Sequence, residues 1–289
     1  MTIYNLGSIN VDLFYQVPHL PAAGETLAAQ KVTEGLGGKG ANMSVAAARA
    51  AARVCHIGAV GRDRSWPKDR LLEYGVDTRH IMMIEAMTGT AIIAVDPSGE
   101  NQILLNAGAN AKIAEDAISA ALAEARTGDI CVIQNETNAQ QHAARTAKEM
   151  GLSVCYAAAP FEVSAVQNVL DYIDLLILNE IEAQQLEVGL GISLAELPVT
   201  DIIVTLGANG CRWLHSGNTR VFDAILVEAV DTTGAGDTFT GFWLAGLDRG
   251  MPMEQAIGQA SIAAALMVTR HGTADVIPDL LEVQEFMQL

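Results

Sequence analysis

Residues 130–158, ICVIQNETNAQQHAARTAKEMGLSVCYAA, hold the pattern that decides the fold. An apolar run at 130–134 is followed by a helical segment at 138–150 and by a second apolar run at 153–157. Short apolar runs of this kind are typical of strands that are buried on both faces of a sheet. The stretch therefore predicts two parallel strands with a helix between them.

The same alternation continues on both sides of this stretch. Further helices are predicted at 114–125, 162–170, 180–187, 237–248, 252–269 and 279–287, and further strands at 2–6, 54–60, 175–178 and 202–206. We predict a doubly wound α/β fold, in which a mostly parallel sheet is flanked by helices. Such sheets bind ligands at the carboxyl ends of their strands.

Two segments do not fit the alternation. These are the strands near 10–33, which include a run at Leu27–Val32, and those near 88–105. The runs at Ile81–Ile84, Thr90–Val95 and Gln102–Leu105 alternate like an antiparallel sheet. We predict one domain over residues 1–289, with the strands of a small β lid inserted at about 10–35 and 88–106.

Composition excludes several classes of protein. The chain carries 34 acidic residues against 17 Lys and Arg, a formal charge of −17, which argues against binding to nucleic acid or to anionic membranes. No long uncharged apolar run or signal-like N-terminus indicates membrane insertion or secretion. The four cysteines, which form no CxxC motif, are expected to be buried free thiols, so we place the protein in the cytoplasm.

The stretch DTTGAGDTF, residues 231–239, joins an expected strand at Ala224–Val230 to a helix. Gly234 and Gly236 permit close approach and unusual backbone angles, and a helix N-terminus favours an anion. Asp237 is placed there to take a proton from an attacking hydroxyl. The alternative is an ordinary capped turn, and the stretch alone supports both readings equally.

The stretch GLGGKGAN, residues 35–42, matches G-x-G-x-x-G through Gly35, Gly37 and Gly40. It does not directly follow the first strand, as a dinucleotide fingerprint must, and it lacks the Ser or Thr that follows the lysine of a P-loop. What remains is a glycine-rich turn with a lysine and an amide. It either binds hydroxyls or a developing negative charge, or serves only as a turn.

Two further motifs follow predicted strands. In NEIE, residues 179–182, Asn179 and Glu182 either form a capping box or hold a hydrated Mg²⁺ beside a phosphate. In TLGANG, residues 205–210, the glycines are ordinary turn residues over which a nucleotide has room to lie.

Polar side chains also follow or end the strands at 2–6 and 130–134. These are Asn10, Asp12, Gln134 and Glu136. Amides and carboxylates of this kind pair the hydroxyls of a neutral polyol. No additional arginine lies beside them, which argues against a substrate that already carries a phosphate.

In this order the motifs GSINVD, GGKGAN, GAN (108–110), NEIEA, TLGANG, DTTGAGDTF and VTRHG resemble the ribokinase (PfkB-type) family of carbohydrate kinases, over nearly the whole chain. The resemblance implies an ATP-dependent kinase that phosphorylates a primary hydroxyl of a small neutral sugar, with ribose first among the candidates. It implies that Asp237 is the general base, and that the N–H groups of Gly234, Ala235 and Gly236 form an anion hole for the transferring phosphoryl group.

The resemblance also implies which residues bind ligands. For the sugar these are Asn10, Asp12, Gly38, Lys39, Asn42 and Glu136. For ATP and Mg²⁺ they are Asn179, Glu182 (through water), Thr205, Gly207 and Gly210. For a monovalent cation, usually K⁺, they are Asp231, Thr233, Met267, Arg270, Gly272 and Val276. The lid strands are expected to close over the sugar and, as in many members, to form a homodimer interface.

Three departures bear on the substrate. Residues 157–160 read AAAP where ribokinases usually have Asn-Pro-Ala-Pro, and the segments at 62–70 and 188–201 are short for the family. The alternatives are a kinase for another polyol (fructose, 2-keto-3-deoxygluconate or a nucleoside) and a non-catalytic relative that binds a sugar or a nucleotide. The intact Asp237 and its glycines argue against the non-catalytic relative, and the misplaced G-x-G-x-x-G argues against a dehydrogenase.

Overall fold

The computed structural model describes residues 1–287 of the chain. The strands are β1 (Ile3–Leu6), β2 (Asn10–Gln16), β3 (Lys31–Gly37), β4 (Val54–Gly61), β5 (Ile81–Ile84), β6 (Gly89–Val95), β7 (Asn101–Asn106), β8 (Ile130–Gln134), β9 (Ser153–Ala157), β10 (Leu175–Asn179), β11 (Asp201–Thr205), β12 (Cys211–His215) and β13 (Asn218–Phe222). The α-helices are α1 (Lys39–Arg49), α2 (Trp66–Glu73), α3 (Glu115–Leu122), α4 (Gln140–Glu149), α5 (Val163–Val169), α6 (Glu180–Leu190), α7 (Ala235–Asp248), α8 (Met253–Val268) and α9 (Leu280–Phe286).

Nine strands form one sheet in the order β13-β12-β11-β10-β9-β8-β1-β4-β5. The strands from β11 to β5 are parallel, and the β12–β13 hairpin adds two antiparallel strands at one edge. The predicted α/β fold class is therefore confirmed. Since consecutive strands lie mostly side by side, the loops at their carboxyl ends meet along one edge of the sheet.

Each central strand contributes side chains to two buried layers. In β8, Ile130 and Val132 pack in the layer that contains α1, α7 and α8, whereas Cys131 and Ile133 pack in the layer that contains α3 to α6. This follows from the two-residue period of a strand. Strands covered on both faces read as continuous apolar runs, and for this reason the sequence pattern is so clear in this part of the chain.

A second sheet of four strands has the order β3-β2-β6-β7. β2 pairs antiparallel with β3 and parallel with β6, and β6 pairs antiparallel with β7. The first three residues of β2 are buried, whereas every residue of β7 is exposed. One end of this sheet thus lies against the main body, and its far edge strand is open.

Two predicted boundaries near the GGKG motif are wrong. The strand expected at Leu27–Val32 is β3, which runs from Lys31 to Gly37 because its pairing with β2 extends from Lys31 opposite Gln16 to Gly37 opposite Asn10. The helix expected from about residue 43 begins at Lys39. Lys39 and Asn42 therefore lie in the first turn of α1 and not in a loop.

Two other strand predictions are also wrong. β5 does not join the antiparallel lid strands but pairs in parallel with β4 at the edge of the main sheet, since alternation in a sequence does not reveal the partner of a strand. The run at residues 224–230 is not a strand, and Leu226 in it is 92% exposed. An apolar run that leaves the sheet edge cannot be distinguished from a strand by composition alone.

The four cysteines, Cys55, Cys131, Cys155 and Cys211, are buried and free, as predicted. Within residues 1–287, no helix combines the length and apolar composition that a membrane crossing requires.

Candidate active site

The carboxyl ends of β1 and β8 bring two sequence motifs together. The Ser8 hydroxyl, two residues beyond β1, donates to Oε2 of Glu136, and the backbone N–H of Lys39 donates to the same oxygen over 3.2 Å. The amide of Gly40 donates in turn to Ser8 Oγ over 3.2 Å. The carboxylate of Glu136 and the hydroxyl of Ser8 therefore link the GSIN motif to the GGKG motif.

The start of α7 meets the start of α1 at the same place. Asn42 Nδ2 donates to Oδ2 of Asp237 over 2.9 Å, although the two residues are 195 positions apart. Gly234, the N-cap of α7, has a φ of 80° in the left-handed region that favours glycine. The predicted base and the predicted sugar-binding amide are thus in direct contact.

The carboxyl group of Asp237 is buried, and its pKa reflects this. Burial raises the pKa of Asp237 to about 6, and Glu136 adds to the rise, while Lys39 and the hydrogen bond from Asn42 oppose it. A carboxyl group with this pKa is mostly ionised at pH 7 but is a better proton acceptor than an exposed aspartate. Shifted pKa values of this kind are frequent at functional sites.

Two further charged groups share this environment. Burial, with the charges of Glu136 and Asp237, raises the pKa of Asp12 to about 7. The charge of Asp237 raises the pKa of Lys39 despite its burial, with further contributions from Glu136 and Glu182. The site therefore combines a largely buried lysine with the carboxyl groups of Asp12, Glu136 and Asp237, whose charges act on one another, an arrangement suited to pairing hydroxyls and moving a proton.

Among the buried polar atoms that have no partner within residues 1–287, one lies beside the candidate base. It is Oδ1 of Asn42, whose Nδ2 is bound to Asp237. Buried polar atoms are nearly always hydrogen-bonded, so an orphaned acceptor beside a candidate base indicates a place for a ligand donor. A sugar hydroxyl provides such a donor.

The amides predicted to form an anion hole lie at the start of α7. Of the three, the N–H of Ala235 donates to the Thr232 carbonyl over 3.2 Å, so it is already engaged in the turn. Gly236 is the second residue of the helix, beside Asp237, and its carbonyl accepts a hydrogen bond from the Thr240 hydroxyl. The helix N-terminus provides the positive end of the helix dipole for an anion.

The capping alternative at NEIE is realised in the structure. Glu182 N–H donates to Asn179 Oδ1 over 2.9 Å, and Asn179 N–H donates to Glu182 Oε2 over 2.8 Å. Burial raises the pKa of Glu182, while Lys39 is near enough to oppose the rise. The pair is thus a capping box that also faces the charged site.

The TLGANG turn follows β11 as predicted. Thr205 is its last strand residue, and Gly207 has a φ of 57° with open space around it. Gly210 is required for a local reason, since a Cβ there would lie 1.9 Å from the carbonyl oxygen of Phe222. Its presence is explained without a nucleotide.

The residues of the predicted cation loop are brought together by Asp231. Its carboxylate accepts from the N–H of Thr233 over 2.9 Å and from the N–H of Gly272 over 3.2 Å. Arg270 donates to the carbonyl of Val276 over 3.2 Å. The loop before α7 is therefore tied directly to the loop after α8.

Met267, assigned to the same cation set, serves as a packing residue in the structure. It is buried, and its sulfur accepts a hydrogen bond from the Thr238 hydroxyl. A Cβ placed on Gly234 would lie 2.9 Å from its terminal methyl group. The thioether thus supports the turn that carries Gly234.

Two residues at or beneath the site make contacts that were not predicted from the sequence. Asn110, in the GAN motif, accepts from the N–H of Ile9 over 2.9 Å and donates to Oδ1 of Asn10 over 2.8 Å. Gln134, considered as a polyol ligand, is fully buried and donates to Asn5 instead. The GAN motif was the only sequence signal for these contacts.

Comparisons with known proteins place the chain in one group. Residues 2–280 match the family described as pfkB family carbohydrate kinase. The chain is 35% identical to a ribokinase of Haemophilus influenzae, over 99% of this chain and 98% of that one. It is 30% identical to a deoxyribokinase of Salmonella typhi, over 100% and 99% of the two chains. The structure of Arabidopsis thaliana ribokinase complexed with ribose and ATP matches with a TM-score of 0.85 and 25% identity, over 100% of this chain and 98% of that one.

Proposed function

Because the chain belongs to the pfkB family of carbohydrate kinases, we propose that it transfers a phosphoryl group from ATP to the primary hydroxyl of ribose and forms ribose 5-phosphate. The observation that carries this proposal is the contact between Asn42 and the buried Asp237, with an orphaned acceptor beside it. The ribokinase relatives support ribose as the sugar.

In this proposal Asp237 is the general base. Its raised pKa and its place at the N-terminus of α7 let it accept the hydroxyl proton as the oxygen attacks phosphorus. The amides of Gly234, Ala235 and Gly236 stabilise the charge on the transferring group. The N–H of Ala235 either breaks its hydrogen bond to the Thr232 carbonyl or divides it between that carbonyl and the phosphoryl oxygen. Phosphoryl transfer depends mainly on such positioning and charge stabilisation.

The sugar is held by residues from both sheets and from α1. Asn10 and Asp12 approach from β2, Lys39 and Asn42 from the first turn of α1, and Glu136 from the loop after β8. Gly38 permits the turn into α1 with a φ of 94°. The lid sheet then closes over the sugar and excludes water from the reaction.

The nucleotide and its metal ions are assigned to the neighbouring strand ends. Thr205, Gly207 and Gly210 lie along ATP, with Asn179 and Glu182 beside its phosphates. Residues 1–287 contain no cluster of three or more His, Cys, Asp or Glu that could hold a metal. Glu182 would hold a Mg²⁺ through water beside the phosphates, and the ion would neutralise charge on the transferring group.

A monovalent cation such as K⁺ fits the loop organised by Asp231. Carbonyl groups and one carboxylate are the hard oxygen donors that such an ion needs, and the loops of Thr233 and Gly272 converge on that carboxylate. The remaining residues assigned to this site are Met267, Arg270 and Val276. Bound there, the ion would neutralise Asp231, whose contacts to Thr233 and Gly272 hold the start of α7.

We also propose that the protein forms a homodimer through the lid and works in the cytoplasm. Ile103, Leu104 and Leu105 of the lid edge strand are 46%, 63% and 56% exposed. A row of exposed apolar side chains on an unpaired edge strand favours a partner. The net charge of −17 argues against nucleic acid as that partner.

The second candidate substrate is deoxyribose, because one relative of 30% identity is a deoxyribokinase. The test is ADP release with Mg²⁺ and K⁺ over a panel of ribose, deoxyribose, fructose, 2-keto-3-deoxygluconate and nucleosides. We expect the highest kcat/KM with ribose. A higher value with another polyol would replace ribose, and binding without turnover of any polyol would leave a non-catalytic relative.

A further inference from the structure

A chain of buried polar side chains crosses the main sheet beneath the proposed sugar site. Gln134 Nε2 donates to Asn5 Oδ1 over 2.7 Å, and Asn5 Nδ2 donates to Ser44 Oγ over 2.8 Å. Ser44 Oγ lies 2.8 Å from Nδ1 of His56. None of the four side chains is more than 1% exposed. They join β8, β1, α1 and β4, the elements around the proposed sugar site.

The direction of each hydrogen bond in this series of side chains follows from the group at its end, His56. His56 Nε2 lies 3.0 Å from the carbonyl oxygen of Gly7, which only accepts, so Nε2 carries the proton. Burial lowers the pKa of His56 to about 4, so the ring is neutral at pH 7 and Nδ1 accepts. The Ser44 hydroxyl therefore donates to His56, and its oxygen accepts from Asn5.

These contacts tie the first turn of α1 to the sheet. The helix crosses β1 backbone to backbone, since a Cβ on Gly40 would lie 2.3 Å from the Cα of Gly7. No interlocking side chains fit at such a contact. Instead Asn5 Nδ2 donates a second hydrogen bond, 2.8 Å long, to the Gly40 carbonyl. The polar side-chain atoms of Asn5, Ser44 and His56 are all paired, whereas Oε1 of Gln134, at one end of the series, has no partner within the described residues. Fully paired buried side chains specify one arrangement of the elements that they join.

We propose that Asn5, Ser44 and His56 are positioning residues, which fix the first turn of α1 and thereby set Lys39 and Asn42 at the sugar site. This inference rests on the proposed function, because it assigns those two residues to the sugar. If a substitution removes the acceptor at His56, the Ser44 hydroxyl donates instead to the carbonyl of Gly40, four residues earlier in α1. It then competes with Asn5 for that carbonyl, and the tie between α1 and β1 is weakened.

The test compares two substitutions at one position. His56→Asn places an amide oxygen near the former Nδ1 and keeps an acceptor for Ser44. His56→Gln places an amide nitrogen near the former Nε2 and keeps the donor to Gly7, but it leaves Ser44 without an acceptor. In His56→Asn the carbonyl of Gly7 loses its donor, which lowers stability, but the N–H bond from Gly7 to the Ile57 carbonyl still holds this backbone and the contacts of Ser44 to α1 are kept. Asn is smaller than Gln by one methylene group, so a loss of packing alone would affect His56→Asn more than His56→Gln, the opposite of the order proposed here.

We expect His56→Gln and Ser44→Ala to raise the KM for ribose about tenfold, the effect of one unsatisfied buried group. The KM for ATP and kcat stay within about twofold, and His56→Asn stays near the wild-type KM for ribose. The control is Ser119→Ala on α3, whose hydroxyl also lies 2.8 Å from a histidine nitrogen, that of His142. It should leave the KM for ribose unchanged.

Hydrogen exchange in the protein without substrate supplies a readout that is independent of turnover. The amides of residues 38–46 should exchange faster in His56→Gln than in His56→Asn. If the wild type does not phosphorylate ribose, the proposed function fails, while the exchange difference still tests the network. Equal effects of the two substitutions on ribose KM, or on exchange at 38–46, would overturn the proposal.

Discussion

Asp237 is the residue at which burial, charge and hydrogen bonding act together. Burial raises the pKa of its carboxyl group, whereas Lys39 and Asn42 hold that pKa near 6. A base with this pKa is ionised at neutral pH and still accepts a proton readily. Asn42 therefore has two tasks in this account, since it supports the base and presents an orphaned oxygen to the sugar.

The pH profile of wild-type activity should follow from this balance. The base is inactive when it is protonated, so kcat should fall as the pH drops through about 6. Asn42→Ala removes a hydrogen bond to the ionised form, and it should move this acid limb upward by about one pH unit. The measurement is kcat against pH at saturating ribose and ATP. A limb that stays in place or moves downward contradicts the role of Asn42.

At the scale of the element, the decisive feature is the start of α7. Gly234 takes a left-handed φ of 80°, and a Cβ on it would lie only 2.9 Å from the methyl group of Met267. The turn thus requires glycine for its backbone angle and for its packing. The Asp231 contacts to Thr233 and Gly272 hold the same turn against the end of α8.

Gly234→Ala should therefore lower both stability and activity. We expect a loss of about 1–2 kcal/mol in the free energy of unfolding and at least about a tenfold loss in kcat. Gly250→Ala is a matched control just beyond the other end of α7, with a φ of 75° and open space around it. It should lose about 1 kcal/mol with unchanged kcat. Equal kcat values in the two variants would contradict a special role for the α7 start.

The elements also show what the sequence could predict. The β-α alternation was readable because strands covered on both faces form apolar runs, and the predicted site residues converge because strand ends meet at one edge. The partner of β5 and the exposed run at 224–230 were not readable, since neither pairing nor burial is encoded in alternation. Asn5 and His56 were missed because single polar residues inside apolar strands form no motif.

At the scale of the whole molecule, the lid links catalysis to assembly. Its inner strand β2 carries Asn10 and Asp12, and its outer strand β7 exposes Ile103, Leu104 and Leu105. A partner that covers β7 would steady the same sheet that closes over the sugar. Dimerisation and sugar affinity should therefore change together.

Leu104→Glu tests this link. A charge at the centre of the exposed edge opposes burial, so the molar mass in solution should fall from twice 30.5 kDa to 30.5 kDa. The KM for ribose should rise in the same variant, and light scattering with steady-state kinetics measures both. A wild-type protein that is already monomeric at micromolar concentration would rule out the lid dimer.

The central claim is that Asp237 acts as the general base of a sugar kinase, and Asp237→Asn tests it most directly because it keeps the shape of the side chain. ADP release with saturating ribose and ATP should fall about a thousandfold, while ribose binding measured by calorimetry should stay within about tenfold. Asp248→Asn, in the same helix and also at a carboxyl whose pKa is raised by burial, should retain kcat. If Asp237→Asn kept kcat within about tenfold of the wild type, the proton would have another acceptor and the claim would be contradicted.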